Sequence, residues 1–132
     1  MDDEKVTVRT HRRGVYVLVV RDEKIEARAL LQALDDEFVV RVATSSSDVV
    51  ERLSAVTLTC VVCVLGGTVR ARDFFEVVTR VAKDQAPRIV FVVSGESSED
   101  EAFLRQSKMN WTAASASTEE ILAIVRAVSA RR

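Results

Sequence analysis

Three stretches of this chain, residues 15–20, 59–65 and 88–93, carry almost nothing but apolar and mostly β-branched residues. Runs of that length suit strands buried on both faces, as in a parallel sheet with helices on each side. A strand with one face in water would alternate polar and apolar residues instead. Between the runs, apolar residues recur at helical spacing. Residues 24–34 place Ile25, Ala27, Leu30, Leu31 and Leu34 on one side, and residues 70–83 do the same with Phe74, Val77, Val78 and Val81. A chain built this way is restricted to the α/β class.

The remaining segments complete the alternation. Residues 37–43 have strand character, and Ser45, Ser46 and Ser47 offer N-caps for a short helix over 48–55 that buries Val49, Val50 and Leu53. Gly66-Gly67 ends the second apolar run, Pro87 opens the third, and Ser94-Gly95 closes it. Ser98–Glu101 and Ser117–Glu120 both read as capping boxes, in which a serine accepts from a backbone N–H three residues on and a glutamate reaches back. The first would open a helix reaching about Lys108. The second would open one carrying Ile121, Leu122, Val125 and Val128 on a single stripe. Residues 110–115 make a weaker strand between them.

Five strand–helix units in strict alternation predict a doubly wound parallel sheet with helices on both faces. The most apolar strands belong in the middle and the two half-polar ones at the edges, which is the flavodoxin-like order 2-1-3-4-5. The expected domain spans residues 14–132, preceded by a flexible or partly ordered charged leader, residues 1–13, in which Val6–Arg9 reads as a short edge strand.

The chain's 132 residues fit one domain that buries roughly two-thirds of its unfolded surface. Nineteen basic residues against twenty acidic ones leave a net charge of −1, which argues against nucleic acid as a partner. No apolar run approaches the roughly 20 residues that span a bilayer, and the start of the chain is acidic rather than signal-like, so no membrane role and a cytoplasmic location are expected.

Candidate chemistry is sparse. Cys60 and Cys63 form a C-x-x-C, but on a strand residues three apart point to opposite faces, so buried thiols are expected rather than a redox pair or a metal site. His11 stands alone among charged residues. Asp22 is expected to cap the first helix or to pair with Arg21 or Lys24. Gly66-Gly67 lacks the pattern of a phosphate loop and reads as a flexible turn. Arg70, Arg72, Arg80, Arg88 and Arg105 read as a scattered, solvated set. No Ser-His-Asp, Cys-His or metal constellation is visible, so no catalytic residue, cofactor or metal is expected and the chain is not read as an enzyme.

The phrase Val17-Leu-Val-Val-Arg-Asp-Glu23, the strand that ends at Ser94-Gly95 and the opening Ser117-Thr-Glu-Glu-Ile-Leu122, in this order and spacing, resemble the response-regulator receiver family over residues 15–130. Receivers transfer a phosphoryl group to an aspartate at the end of the third strand. Acids after strand one hold magnesium, and a hydroxyl on strand four and a lysine on strand five hold the phosphate. The resemblance places Val64 at the acceptor position, Arg21 and Asp22 at the acidic pair, Ser94 at the hydroxyl and Ala114 at the lysine. It implies a degenerate, phosphorylation-independent pseudo-receiver in two-component signalling.

The function expected on this basis is contact with a protein partner, with a homodimer as a further arrangement. The partner face would run over the fourth helix, fifth strand and fifth helix and include Arg105, Lys108, Trp111, Glu119 and Arg126. Two alternatives stand beside it: an active receiver with a displaced acceptor, Asp22 or Asp73, and a nucleotide- or flavin-like ligand in the strand-end crevice near Arg21, Asp22, Gly66, Gly67 and Ser94.

Overall fold

The computed structural model describes residues 16–25, 27–55, 58–93, 98–107, 110–113 and 117–130. The expected leader, with His11 and the Val6–Arg9 strand, lies outside them. The elements in chain order are β1 (Tyr16–Val20), α1 (Arg28–Glu37), β2 (Val39–Ala43), α2 (Ser46–Ala55) and β3 (Cys60–Val64). They continue with α3 (Ala71–Val81), a 3-10 turn (Lys83–Arg88), β4 (Ile89–Val93), α4 (Ser98–Ser107), β5 (Asn110–Ala113) and α5 (Thr118–Ser129).

The strands form one parallel sheet in the order β2-β1-β3-β4-β5, as the burial pattern of the sequence predicts. Every residue of β3 and β4 is buried. Alternation along the strands divides the core in two. Leu18, Val61, Cys63 and Phe91 pack with Leu53 of α2, Phe74 and Val78 of α3 and Leu104 of α4. Val17, Val19, Cys60, Val62 and Val90 pack with Leu30 and Leu34 of α1 and with Ile121, Leu122, Val125 and Val128 of α5. The two cysteines, three apart on one strand, therefore lie in different layers, both buried and neither in a disulfide.

Among the boundaries that differ from the sequence reading, three have a clear local setting. The first helix starts at Arg28 rather than at residue 24, because Lys24 N–H donates to the Asp22 carboxylate (2.9 Å) and Ile25 N–H to the Asp22 carbonyl (2.9 Å). That pair of bonds makes a turn in which an aspartate side chain stands in for backbone. The helix also runs through Glu37, which the sequence placed in the next strand. Pro87 lies inside the 3-10 turn and β4 begins two residues later, at Ile89. The absent N–H of a proline is easily tolerated in so short a helical turn.

Among the serines, Ser45 caps α2 by accepting from Asp48 N–H (3.2 Å). The Ser117–Glu120 box forms in full, with Glu120 N–H donating to Ser117 Oγ (3.2 Å) and Ser117 N–H donating to Glu120 Oε1 (2.8 Å). The other expected box turns on the Ser98 side chain, which lies outside the described residues; Ser98 opens α4, and Glu101 lies 3.6 Å from Arg105.

Candidate functional site

The carboxyl ends of β1 and β3 lie side by side. Val20 pairs with Cys63, so the chain leaves the sheet at Arg21 next to Val64. Val64 is the last residue of β3, pairs with Val92 and sits in the layer of α1 and α5, 7% exposed. The central strand thus ends in a branched aliphatic group with no oxygen to offer a phosphoryl group or a metal. Ser94 and Ala114, expected beside it, lie outside the described residues.

Asp22 is the one buried acid here, and its oxygens are engaged. Oδ1 accepts from Lys24 N–H (2.9 Å). Oδ2 accepts from the N–H of Thr68 (2.9 Å) and from its hydroxyl (3.1 Å). The expected helix cap or ion pair is replaced by a bridge between the β1–α1 and β3–α3 loops. The backbone N–H groups of Lys24 and Thr68 hold the Asp22 carboxyl below its ordinary range. Partial desolvation opposes them, while the Thr68 hydroxyl and the Lys24 charge add to the lowering.

Gly67 makes that bridge geometrically feasible. Gly66 N–H donates to Val69 carbonyl and Val69 N–H to Gly66 carbonyl, both at 3.0 Å, closing a tight turn around Gly67 and Thr68. Gly67 has φ 59° and Gly66 φ 138°, both on the side that favours glycine. A Cβ on Gly67 would collide with Asp22 Oδ2 and lie 2.8 Å from its Cγ. The glycine pair therefore forms a closed, specific turn rather than the flexible one expected.

Arg21 turns away from Asp22's carboxylate. Its Nη1 donates to the carbonyls of Ile25 (2.8 Å), Glu23 (3.4 Å) and Asp22 (3.5 Å). The guanidinium wraps its own loop and borders an open cleft of about 650 Å³ between α1 and the edge strand β2. Asp73, the other displaced-acceptor candidate, is an exposed residue in the first turn of α3. Among the described residues, no group of three or more His, Cys, Asp and Glu side chains is placed to hold a metal ion.

A second carboxylate bridge was not anticipated. Asp100 of α4, 4% exposed, accepts from Ala71 N–H at the start of α3 (3.0 Å), and its Oδ2 lies 3.7 Å from Arg70 Nη2. Arg70 also approaches Glu99 at 3.8 Å. Arg70 is the N-cap of α3 but supplies no side-chain acceptor, so α3 takes one from a neighbouring helix. The missing cap was visible in the sequence; the identity of its substitute was not.

The expected partner face is brought together only in part. Arg105 lies over the ring of half-buried Trp111 at 5.5 Å, joining α4 to β5. Beside them Phe103 meets Phe75 edge-on (5.7 Å), and Arg72 lies 5.0 Å from the Phe103 ring. Arg70, Arg72 and Arg105, read as scattered, are thus organised along the α3–α4–β5 seam. Glu119 is in the first turn of α5. Arg126 belongs to the opposite layer: Nε and Nη2 donate to Glu37 of α1 at 2.7 and 2.8 Å. Lys108 lies outside the described residues.

No protein-family model matches the chain, and no curated protein matches it. Solved structures do. The non-phosphorylated HemR receiver domain from Leptospira biflexa aligns with a TM-score of 0.71 at 17% identity, over 89% of this chain and 96% of that one. The receiver domain of a sensor histidine kinase from Pseudomonas aeruginosa, with magnesium coordinated in its active-site cleft, aligns with a TM-score of 0.69 at 14% identity, over 89% and 99%. A structure of adenylate cyclase from Rhodopirellula baltica aligns at 0.70 with 10% identity over 86% of each chain. At these identities the likeness establishes a receiver-type, flavodoxin-like fold, and function has to be argued from the site.

Proposed function

We propose that this chain is a receiver-like signalling module that works without phosphorylation, through contact with a protein partner in the cytoplasm. The observation that carries the reading is Val64 at the end of the central strand, beside an Asp22 whose oxygens are already hydrogen-bonded. Phosphoryl transfer in this fold needs a carboxylate nucleophile and a metal held by nearby acids. Val64 supplies no nucleophile, and binding magnesium would require Asp22 to release Thr68. Arg21 adds a fixed cation at the same loop. The module is read as non-enzymatic and needing no cofactor.

Docking through α4 and β5 fits the same reading. Trp111 presents a half-buried ring with Arg105 over it, and aromatic and arginine side chains are the residue types that dominate protein interfaces. Glu119 and Lys108 extend the proposed face. Arg126, committed to Glu37, is left out of it.

The test is incubation of the full chain with acetyl phosphate and magnesium, read by intact mass. An unchanged mass is expected. A stoichiometric phosphate adduct would overturn the proposal, and an adduct lost in Asp22→Asn or Asp73→Asn would identify a displaced acceptor.

A further inference from the structure

A hollow of about 140 Å³ opens between the first turns of α2 and α3, at the carboxyl end of the sheet. Every residue of its wall is described. Its form follows from the sequence. Val20 ends β1 inside the core, and Val49 and Phe74 are inward residues of α2 and α3; all three are buried and make the floor. The turn closed by Gly66 and Val69 sets half-buried Val69 on one side. Half-buried Val77 forms another, one turn beyond Asp73 on the same face of α3.

The rim is polar, with Thr44, Ser45, Thr68 and Asp73 exposed. Much of that polarity is spent within the protein. The Thr68 hydroxyl donates to Asp22, and Ser45 Oγ accepts from Asp48 N–H. Arg70 also lines the wall, but its guanidinium reaches across α3 to Asp100 and Glu99 of α4, at 3.7 and 3.8 Å. Of the two charged residues in the wall, Asp73 is the one that enters no ion pair. The result is an apolar bowl with one uncommitted carboxylate at its lip. Its size limits the occupant. A cavity of about 150 Å³ takes a single six-membered ring, whereas larger ligands need about 300 Å³ or more, which leaves no room for a nucleotide or a flavin.

We infer that this hollow binds a small free amine, protonated at neutral pH, whose apolar body is one ring or a short branched chain. The body would cover Val20, Val49 and Phe74, and the ammonium would lie at the Asp73 carboxylate. An anion is the poorer occupant, because Asp73 repels it and the Arg70 charge is already directed at α4. The inference goes beyond the contact-driven reading and does not depend on it: the hollow is built without Val64, and Asp22 enters only by holding Thr68.

The test is titration of the full ¹⁵N-labelled chain with benzylamine, benzyl alcohol and benzoate, followed by amide NMR. Benzylamine is expected to bind saturably, in the weak range of so small a molecule, and to shift the amides of Val20, Val49, Val69, Asp73 and Val77. An exposed ion pair adds at most about a fivefold gain, so benzyl alcohol should bind about three- to fivefold more weakly and benzoate more weakly still. Asp73→Asn alters an exposed side chain and should bring benzylamine down to the level of the alcohol. Val77→Phe fills the hollow and should abolish binding of both; if that variant misfolds, Asp73→Asn still decides. Binding of none of the three, benzoate binding as tightly as benzylamine, shifts away from the hollow, or indifference to Asp73→Asn would overturn the inference. So would tighter binding of N-acetyl-lysinamide than of benzylamine, which would assign the hollow to a lysine of a partner protein. A phosphate adduct in the mass experiment would refute the functional reading without bearing on the amine result.

Discussion

Thr68 donates both its backbone N–H and its hydroxyl to Asp22 Oδ2, at 2.9 and 3.1 Å, across 46 positions of sequence. The bond pair ties the loop after β1 to the loop after β3. It engages the hydroxyl and the carboxylate with each other at the carboxyl end of the sheet. Thr68→Val keeps the size and the backbone bond while deleting one donor. It should lower unfolding free energy by about 1 kcal/mol, read by urea denaturation with an unchanged slope.

Asp22 also sets an acid sensitivity. Its folded-state pKa lies below the ordinary value of 3.8, because the Lys24 and Thr68 N–H groups favour the charged form. A depressed carboxyl contributes stability that is fully present above the unfolded value and is lost as pH falls through the folded value. Wild type should therefore lose stability more steeply than Asp22→Asn as pH drops below about 4. Urea midpoints measured from neutral pH downward would show the two curves converging. Parallel curves would contradict the assignment.

Gly67→Ala should be among the more damaging substitutions at this end of the molecule. The left-handed φ of 59° costs an alanine about 1 kcal/mol, and the new methyl would also displace Asp22 from Thr68. A total loss of at least about 2 kcal/mol is expected. In an Asp22→Ala background the colliding oxygen and Cγ are gone, so Gly67→Ala should there cost little beyond the strain in φ, which separates the two causes.

Val64→Asp should not restore a receiver. The side chain would enter a layer of aliphatic residues at 7% exposure, with Arg21 committed to the carbonyls of its own loop and Asp22 held by Thr68. A loss of about 2–4 kcal/mol is expected, with no phosphate gained from acetyl phosphate. Uptake of phosphate by this variant would show that the pocket keeps a working metal site.

Cys60 and Cys63 should be silent to thiol reagents until the protein opens. Burial, reinforced by the charge of Asp100, pushes the Cys63 thiol well above its usual range, so raising the pH to 9 should not make it reactive. Reaction with an aromatic disulfide should follow the rate of unfolding rather than hydroxide concentration.

The architecture was readable in the sequence because its signals are redundant. Residues 59–65 and 88–93 read as strands buried on both faces, and the mixed polarity of residues 37–43 and 110–115 sent them to the edges, as found. Capping chemistry was readable where it is local, as at Ser117 and Glu120. The start of α1 was misjudged because Lys24 and Ile25 fit a helical stripe, whereas their N–H groups bond to Asp22. The site was legible as an absence, in Val64. Its two bridges were not, since Asp22–Thr68 and Asp100–Ala71 join residues far apart in sequence and no periodicity encodes them. The Arg126–Glu37 pair was illegible for the same reason, the two residues being 89 positions apart.

Thr68 and Ala71 are three positions apart, and carboxylates from two different elements grip them, Asp22 from the head of the sheet and Asp100 from α4. The segment between them is anchored at both ends, as a tie rod is. A protein that displaced the beginning of α4 would pull on Ala71, and through Thr68 on the exit of β1, with no covalent modification along the way. Mechanical linkage of this sort would give the domain a route for sending news of one occupied surface to another.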